Sequence, residues 1–333
     1  MNFSLTDEQE MLRDTARTLL TKECPPSLVR AYTGDPAVAD ALWDRHLREW
    51  VVLGEGPLSD HALFLEEAGA AVLPGPYFST AALFLPLLRA AEHALADSVA
   101  AGETTGTVSM AGAAGLWEVT DEPMHSFVIE ADRVDHIAFV LPGPSIAVVD
   151  AGSVATREIE TLDPARRVFT VDVPKGLDAR PVDPVALAAV VERATVALSA
   201  ELVGVSRWLL DHSVAYAKER VQFDKPIGSF QGLQWKLVGM AQDHERAAAA
   251  VAYAAMVIDA DDSDRHRATH VAKAAAGRAA RGSARDGMQV HGGIAYTWEH
   301  DLHLFLRRAV ASDALLGPAT WHHDRLADLL LLD

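Results

Sequence analysis

From residue 184 onward the chain reads as four long helices with short connections, and nothing else in it narrows the fold as much. Asp183-Pro184 pairs an N-cap residue with a proline at the first helical position, where the missing N–H costs nothing. The helical pattern then runs to about Arg220. A second helix fits Gln231 to Ile258, a third Asp264 to Met288, and a last helical region Asp301 to Leu332, interrupted near Gly317-Pro318. Long helices joined this closely pack as antiparallel neighbours, which predicts a bundle.

The preceding segments differ in character. Thr6 and Gln9 form a capping-box pattern, and behind it Met11, Leu12, Ala16, Leu19 and Leu20 share one face of a 3.6-residue period. Further helices fit Asp40 to Trp50, Asp60 to Val72 and Ser79 to Leu95, punctuated by Gly54, Gly56-Pro57 and Pro74-Gly75-Pro76. Short β-rich runs follow: Thr105 to Met110, Ser126 to Ala131, His136 to Leu141, Ser145 to Asp150 and Arg167 to Val173. Strands at this spacing predict a small barrel or sandwich. The expected fold is mostly α with a small β domain: an N-terminal helical domain (1–100), a reduced middle β domain (101–183) and a C-terminal four-helix bundle (184–333).

Composition removes several function classes. Formal charge is −18, from 47 acidic and 29 basic residues, which disfavours nucleic acid and anionic membranes as partners. Local arginines can still hold an anionic cofactor. The single cysteine, Cys24, rules out an internal disulfide or a Cys-rich metal site and fits a reducing, cytoplasmic setting. The most apolar stretch, Ala82 to Ala91, carries Pro86 and Arg89 and is far shorter than the ~18 residues a membrane span needs. The N-terminus is acidic, so no signal peptide is expected.

Two late segments carry the chemistry. RVQFDKPIGSFQ, Arg220 to Gln231, reads as a helix end, a proline-marked turn and a helix start, with a guanidinium, an aromatic ring and two amides around the turn. DGMQVHGGIAYTWEHDLHLFLRRA, Asp286 to Ala309, places Gln289 just before Gly292-Gly293. A guanidinium donates bidentately to a diphosphate, and glycines let backbone approach a ligand closely. An arginine, amides and a glycine turn suit the ADP half of a large cofactor.

Both segments closely resemble the acyl-CoA dehydrogenases, flavoenzymes that form a 2,3 double bond in acyl-CoA thioesters. FSLTDEQEMLRDTARTLL (Phe3 to Leu20) and LFLEEAGAAVLPGPYFSTAAL (Leu63 to Leu83) resemble that family's first and second conserved helical stretches. The resemblance implies FAD as cofactor. It places Arg220 on the diphosphate of the neighbouring subunit's FAD, with Gln222 and Phe223 lining the same pocket. Gln231 would lie near that cofactor, and Gln289 with Gly292 and Gly293 would hold its adenosine end. Asp224 stands where the family usually has glycine, and a carboxylate beside a diphosphate is unfavourable.

The same resemblance exposes what is missing. The family removes the substrate α-proton with a glutamate at one of two points, which here are Leu316 and Ala194. Neither side chain can accept a proton, so no catalytic residue is assigned. Glu192 lies about 200° round the helix from Ala194, and Glu201 about 10 Å along its axis; Glu201 reads as structural or partner-facing. The family's flavin-ring loop survives only as Val119-Thr120-Asp121-Glu122-Pro123, without the Gly-Ser-Asp that should follow. Glu299, His300, His303 and His322-His323-Asp324 lack the paired Glu-x-x-His pattern of a helical metal site, so no metal is expected. Trp235, Trp298 and Trp321 read as core or interface residues.

Some actinobacterial members resembling this chain are α2β2 heterotetramers of a short and a longer subunit. Known examples act on bulky, steroid-type CoA thioesters. By that likeness the chain donates the diphosphate and adenosine half-site to a longer catalytic homologue, which binds the acyl-CoA. Two alternatives remain open. One is a self-sufficient homodimer with Glu192, Glu201 or Glu299 as a displaced base. The other is a non-catalytic scaffold that has lost FAD. A flavin monooxygenase on the same fold is a third, weaker reading.

Overall fold

The structure is a computed structural model that describes residues 3–332. It opens on α1 (Asp7–Glu23), where Thr6 Oγ1 accepts from the Gln9 amide and the Gln9 side chain returns a bond to the Thr6 amide, the predicted capping box. Short α2 (Pro26–Tyr32) and α3 (Asp40–Leu42) lead through irregular helical turns to α4 (Leu58–Ala70). The helix expected over Ser79 to Leu95 is shorter and irregular. A π-helical stretch at Phe78–Phe84 runs into α5 (Leu85–Ala90), and α6 (Ala96–Ala100) follows separately. Pro86 has no N–H and its ring collides with the carbonyl four residues back, so the ladder widens before it. Leu83, Phe84, Leu85, Leu87 and Leu88 are all buried, so the most apolar stretch is core.

The middle region resolves the barrel-or-sandwich alternative. One sheet has the order β1-β3-β4-β7, from Gly106–Ser109, His136–Leu141, Ser145–Asp150 and Arg180–Pro181. The other has the order β2-β6-β5, from Met124–Ile129, Val168–Asp172 and Thr156–Ile159. The pairing β1–β3 is parallel and the remaining pairs are antiparallel. Two separate sheets form a small sandwich, not a closed barrel. Strand β3 is buried on both faces. Ile137 and Phe139 meet Val128, Phe169 and Val171, while Ala138 and Val140 join the main helical core. That main core is continuous from α1 through the sandwich into the bundle.

The C-terminal helices match the predicted pattern closely: α7 (Pro184–Glu219), α8 (Gln231–Asp259), α9 (Arg265–His291), α10 (Leu302–Ala314) and α11 (Ala319–Leu332). Asp183 caps α7 by accepting from the Val185 amide, with Pro184 at its first turn. Between α7 and α8 lies a tight hairpin, β8 (Val221–Gln222) and β9 (Lys225–Pro226). Helix α9 packs through alanines, with Ala268, Ala272, Ala276, Ala279 and Ala280 buried, and so lets its neighbours approach closely. Helix α4 lies against α7 from the N-terminal side. No described helix is long and apolar enough to cross a membrane.

A buried ionic cluster ties the sandwich to this scaffold. Arg308 of α10, wholly buried, donates Nε–H to Asp163 (2.5 Å) and reaches the carbonyl oxygens of Leu73 and Ala165 (each 3.2 Å). Beside it Arg166 pairs with Glu201, and Ser312 Oγ donates to the other Glu201 oxygen (3.2 Å). Charges this deep persist only when paired and hydrogen-bonded on every side.

Candidate functional site

Arg220 is the C-cap of α7, its amide donating to the Tyr216 carbonyl. The Ile227 amide in turn donates to the Arg220 carbonyl (2.8 Å), closing the base of the β8–β9 hairpin. The hairpin turn is Phe223-Asp224, both left-handed with φ of 53° and 62°. A two-residue turn with positive φ at both positions matches the twist of its strands. Asp is among the few non-glycine residues that tolerate this conformation, so Asp224 fulfils the backbone role of the glycine it replaces. Its side chain is exposed and does not line the groove described next. Phe223 stands 86% exposed, edge-on to Phe230 at 6.0 Å, and Lys225 Nζ lies 4.4 Å above the Phe230 ring.

The hairpin forms one wall of a groove of about 780 Å³, within the roughly 300–1,000 Å³ typical of small-molecule sites. Arg220, Gln222 and Phe223 enter it from the hairpin, and Gln289 and Gly293 from the end of α9. Thus five of the seven residues expected at the cofactor meet in one groove. Gln231 is exposed at the first turn of α8, and Gly292 turns the chain with φ of 63°; neither lines the groove. Tyr216, Gly232, Lys236 and His291 do line it and were not singled out in the sequence. Gly232 and Lys236 lie one helical turn apart on α8, and that spacing was the one signal pointing to them.

Lys236 Nζ donates to Asp286 Oδ1 (2.9 Å), joining α8 to α9 along the groove. Burial would raise the Asp286 carboxyl, but donors from Lys236 and Arg285 hold it below the usual carboxylate range. Arg220 forms no salt bridge among the described residues, which leaves its five donors available to an anion. The groove thus brings together an unpaired guanidinium, two side-chain amides and an aromatic rim, donor types that suit a phosphate-bearing, partly aromatic ligand.

The second region of interest is closed. Leu316, Glu192, Trp117, Trp321 and His322 surround a cavity of only about 60 Å³, far below the range of ligand sites. Ala194 is fully buried beside it on α7. The loop between β1 and β2 brings Trp117 to this place. Leu316 and Gly317 adopt positive φ, 56° and 90°, and are pinned from below. Lys273 Nζ donates to the carbonyls of Asp313 and Gly317, each at 2.8 Å. Burial lowers this lysine to about 8. His322 Nε2 lies 2.9 Å from the Leu316 carbonyl, and its Nδ1 lies 2.8 Å from His270 Nδ1. Since only a carbonyl can accept in the first bond, His322 carries its proton on Nε2 and accepts from His270 at Nδ1. Burial, with the Lys273 charge, pushes His322 down to about 3 and keeps it neutral.

The carboxylates weighed as displaced bases are all engaged elsewhere or remote. Glu192 borders the small cavity but is held by Arg265 (2.9 Å) and His266. Glu201 is enclosed by Arg166, Arg308 and Ser312, a structural placement. Glu299 is exposed on the loop after the Gly-Gly turn. Glu122 of the flavin-loop echo accepts from the Ala113 amide (2.9 Å) and so braces the same loop. Among the described residues no group of His, Cys, Asp and Glu is arranged to hold a metal ion. Trp235 and Trp298 are not core, each 69% exposed; Trp321 is partly buried against His270.

Comparison with known proteins places this geometry. Residues 185–331 match the model of the acyl-CoA dehydrogenase C-terminal domain. Over 322 residues the chain is 33% identical to acyl-CoA dehydrogenase IpdE2 of Mycobacterium tuberculosis, covering 93% of each protein. The chain belongs to the acyl-CoA dehydrogenase family. Among solved structures, a chain of the ChsE4-ChsE5 complex from Mycobacterium tuberculosis superposes with a TM-score of 0.87 at 20% identity, over 99% of both chains. A variant of the Tcur3481-Tcur3483 steroid ACAD gives 0.84 at 24% identity, over 98% of both. These two likenesses show the fold.

Proposed function

We propose that this acyl-CoA dehydrogenase chain is the cofactor-donating subunit of a heteromer that forms 2,3-enoyl-CoA, with FAD held between it and a longer catalytic homologue. The contrast between the groove at Arg220 and the family's base position at Leu316 carries the reading. The groove at Arg220 is open and sized for a ligand, while the place around Leu316 is filled by the chain's own side chains. In this reading the chain contributes to a neighbour's site and lacks a base-bearing site of its own. The similar ChsE4-ChsE5 and Tcur3481-Tcur3483 structures are both two-protein assemblies, the latter a steroid ACAD, which favours a bulky CoA thioester as substrate.

In this reading Arg220 takes the diphosphate bidentately, while Lys236 stays paired with Asp286 and holds α8 to α9 beside it. Gln222 and Gln289 donate and accept at the polar edges, and Phe223 covers the ligand's apolar surface. FAD, when bound, supplies the hydride acceptor. The partner supplies the carboxylate that takes the α-proton, because Leu316 and Ala194 cannot. The exposed Phe223, Trp235 and Trp298 suit burial against that partner.

The decisive experiment co-expresses the chain with a longer family member and measures mass, flavin content and acyl-CoA oxidation of the purified product. An α2β2 particle carrying flavin is expected. A flavin-free complex would favour a scaffold, and a flavin-loaded, active homodimer would favour a displaced base.

A further inference from the structure

The connection from α9 to α10 is fastened by a histidine that acts as a helix cap. Asp301 holds the N-cap position of α10, but among the described residues its side chain makes no cap bond. The Leu302 amide instead donates to His300 Nδ1 (3.1 Å). An N–H can only donate, so this nitrogen carries a lone pair, and the half-buried ring is neutral with its proton on Nε2. The His300 carbonyl in turn accepts from His303 Nδ1 (2.7 Å), and Asp301 is engaged by Arg30 of α2. The surroundings oppose a positive ring. His291 of α9 meets it edge-on at 4.7 Å, and Tyr216 of α7 at 6.5 Å. Burial comes first in holding His300 below the usual histidine range. His212 of α7, Arg30 and His303 add to it, while Asp301 acts in the opposite sense. Arg307 opposes a charge on His303 in the same way.

We infer that His300 is an acid-opened latch on this connection: once protonated at Nδ1 it loses the bond from Leu302 and places a cation at the N-terminus of α10. A cation there also opposes the helix dipole. An Asp, Asn or Ser cap would hold throughout the neutral and mildly acid range, whereas a histidine cap releases as the ring charges. The depressed value in the folded chain sets the sign. The cap's contribution is whole above the ordinary histidine value of about 6.5 and is lost as pH falls below it. The connection carries Gly293 and Ile294 into the groove, so opening the latch loosens that wall. The latch does not depend on what the groove holds.

The test is hydrogen exchange of the full chain at pH 7.5 and pH 5, read by mass spectrometry and corrected for the intrinsic pH dependence of exchange. In the wild type, residues 294–304 are expected to exchange about threefold to tenfold faster at pH 5, the factor given by one lost hydrogen bond. Residues 195–206, buried on α7, should stay equally protected. His300→Asn keeps an acceptor near the Nδ1 position and cannot ionise, so its protection should not change with pH. His300→Lys, a cation without an acceptor, should exchange fast at both values. Unchanged protection of the wild type at pH 5 overturns the proposal without requiring any variant to fold. Equal loosening of residues 195–206 also overturns it, because that marks general acid unfolding. So does a folded His300→Asn protein that responds as the wild type does, or a folded His300→Lys protein that stays protected. No ligand enters the measurement, so each of these outcomes leaves the cofactor reading where it stood.

Discussion

Gly69 of α4 and Gly204 of α7 form a reciprocal notch: a Cβ on Gly204 would lie 1.8 Å from the Glu66 carbonyl oxygen, and one on Gly69 would lie 2.0 Å from that of Glu201. Each helix presents bare backbone where the other crosses. The contact sets how α7 sits against the N-terminal helices, and hence where its far end delivers Arg220.

Gly204→Ala therefore forces two backbones apart where neither neighbour is a flexible side chain. Overpacking of this kind costs about 1–3 kcal/mol, and with backbone on both sides the upper end is expected. Thermal unfolding of the purified chain would show the loss. An unchanged midpoint would mean that the crossing relaxes freely.

Arg220→Ala should strip flavin from the heteromer while leaving its assembly intact. A charge-assisted hydrogen bond contributes about 1.5–3 kcal/mol, so flavin affinity should fall roughly tenfold to a hundredfold. Arg220→Lys should recover only part, because an ammonium cannot form the fork. Absorbance of bound flavin after desalting reads both effects.

Restoring a carboxylate should not restore chemistry. Leu316→Glu places a carboxyl beside a cavity of about 60 Å³, too small to admit a thioester. The variant chain, without partner, should neither reduce flavin with acyl-CoA nor match the wild type in stability, since a buried unpaired carboxylate is costly. Acyl-CoA-dependent flavin bleaching by that variant would falsify the filled-site account.

Arg308→Ala should be among the most damaging single changes. It leaves Asp163 buried without its partner guanidinium, a situation that costs about 3–5 kcal/mol. Because Arg308 also holds the carbonyls of Leu73 and Ala165, the sandwich should lose its fixed position against α10. Limited proteolysis between residues 101 and 183 would report that loosening.

Glu130 supplies a pH signature. Burial raises its carboxyl from 4.5 to about 7, against donors from Tyr32 and the Arg167 amide. The folded state holds the proton more tightly than the unfolded chain does. This contribution is complete below about pH 4.5 and is lost as pH rises through about 7. Glu130→Gln cannot ionise, so its stability relative to wild type should climb across that window, by on the order of 3 kcal/mol at pH 8. Denaturation midpoints of both proteins at pH 4.5, 6 and 8 decide it; a constant difference would contradict the shift.

Local chemistry made most of the fold legible. Thr6 with Gln9 and Asp183 with Pro184 are short-range devices whose effect needs no tertiary context, and both behave as read. The Ser79 to Leu95 helix was overextended because one proline, Pro86, changed the helix type upstream and the chain turned after Ala90. Trp235 illustrates a different limit. A tryptophan on an amphipathic helix satisfies either a core or a partner, and only the packed structure shows it 69% exposed. At the groove, Arg220 and Gln289 stood in recognisable segments, whereas Lys236 and His291 gain meaning only once α8 and α9 lie side by side. The filled cavity was half legible. Leu316 announces a missing acid, but the loop that brings Trp117 against it has no pattern of its own.

The packing around Leu316 changes what that position answers to. Where family resemblance expects a proton acceptor, this chain has an ordinary piece of interior, enclosed by Trp117 and Trp321 and anchored through the Lys273 and His322 bonds to its loop. Substitutions there should therefore be sorted by volume and shape, with methionine tolerated and alanine harmful, instead of by acidity. At this position the side chain serves through the space it occupies and not through any proton it could take.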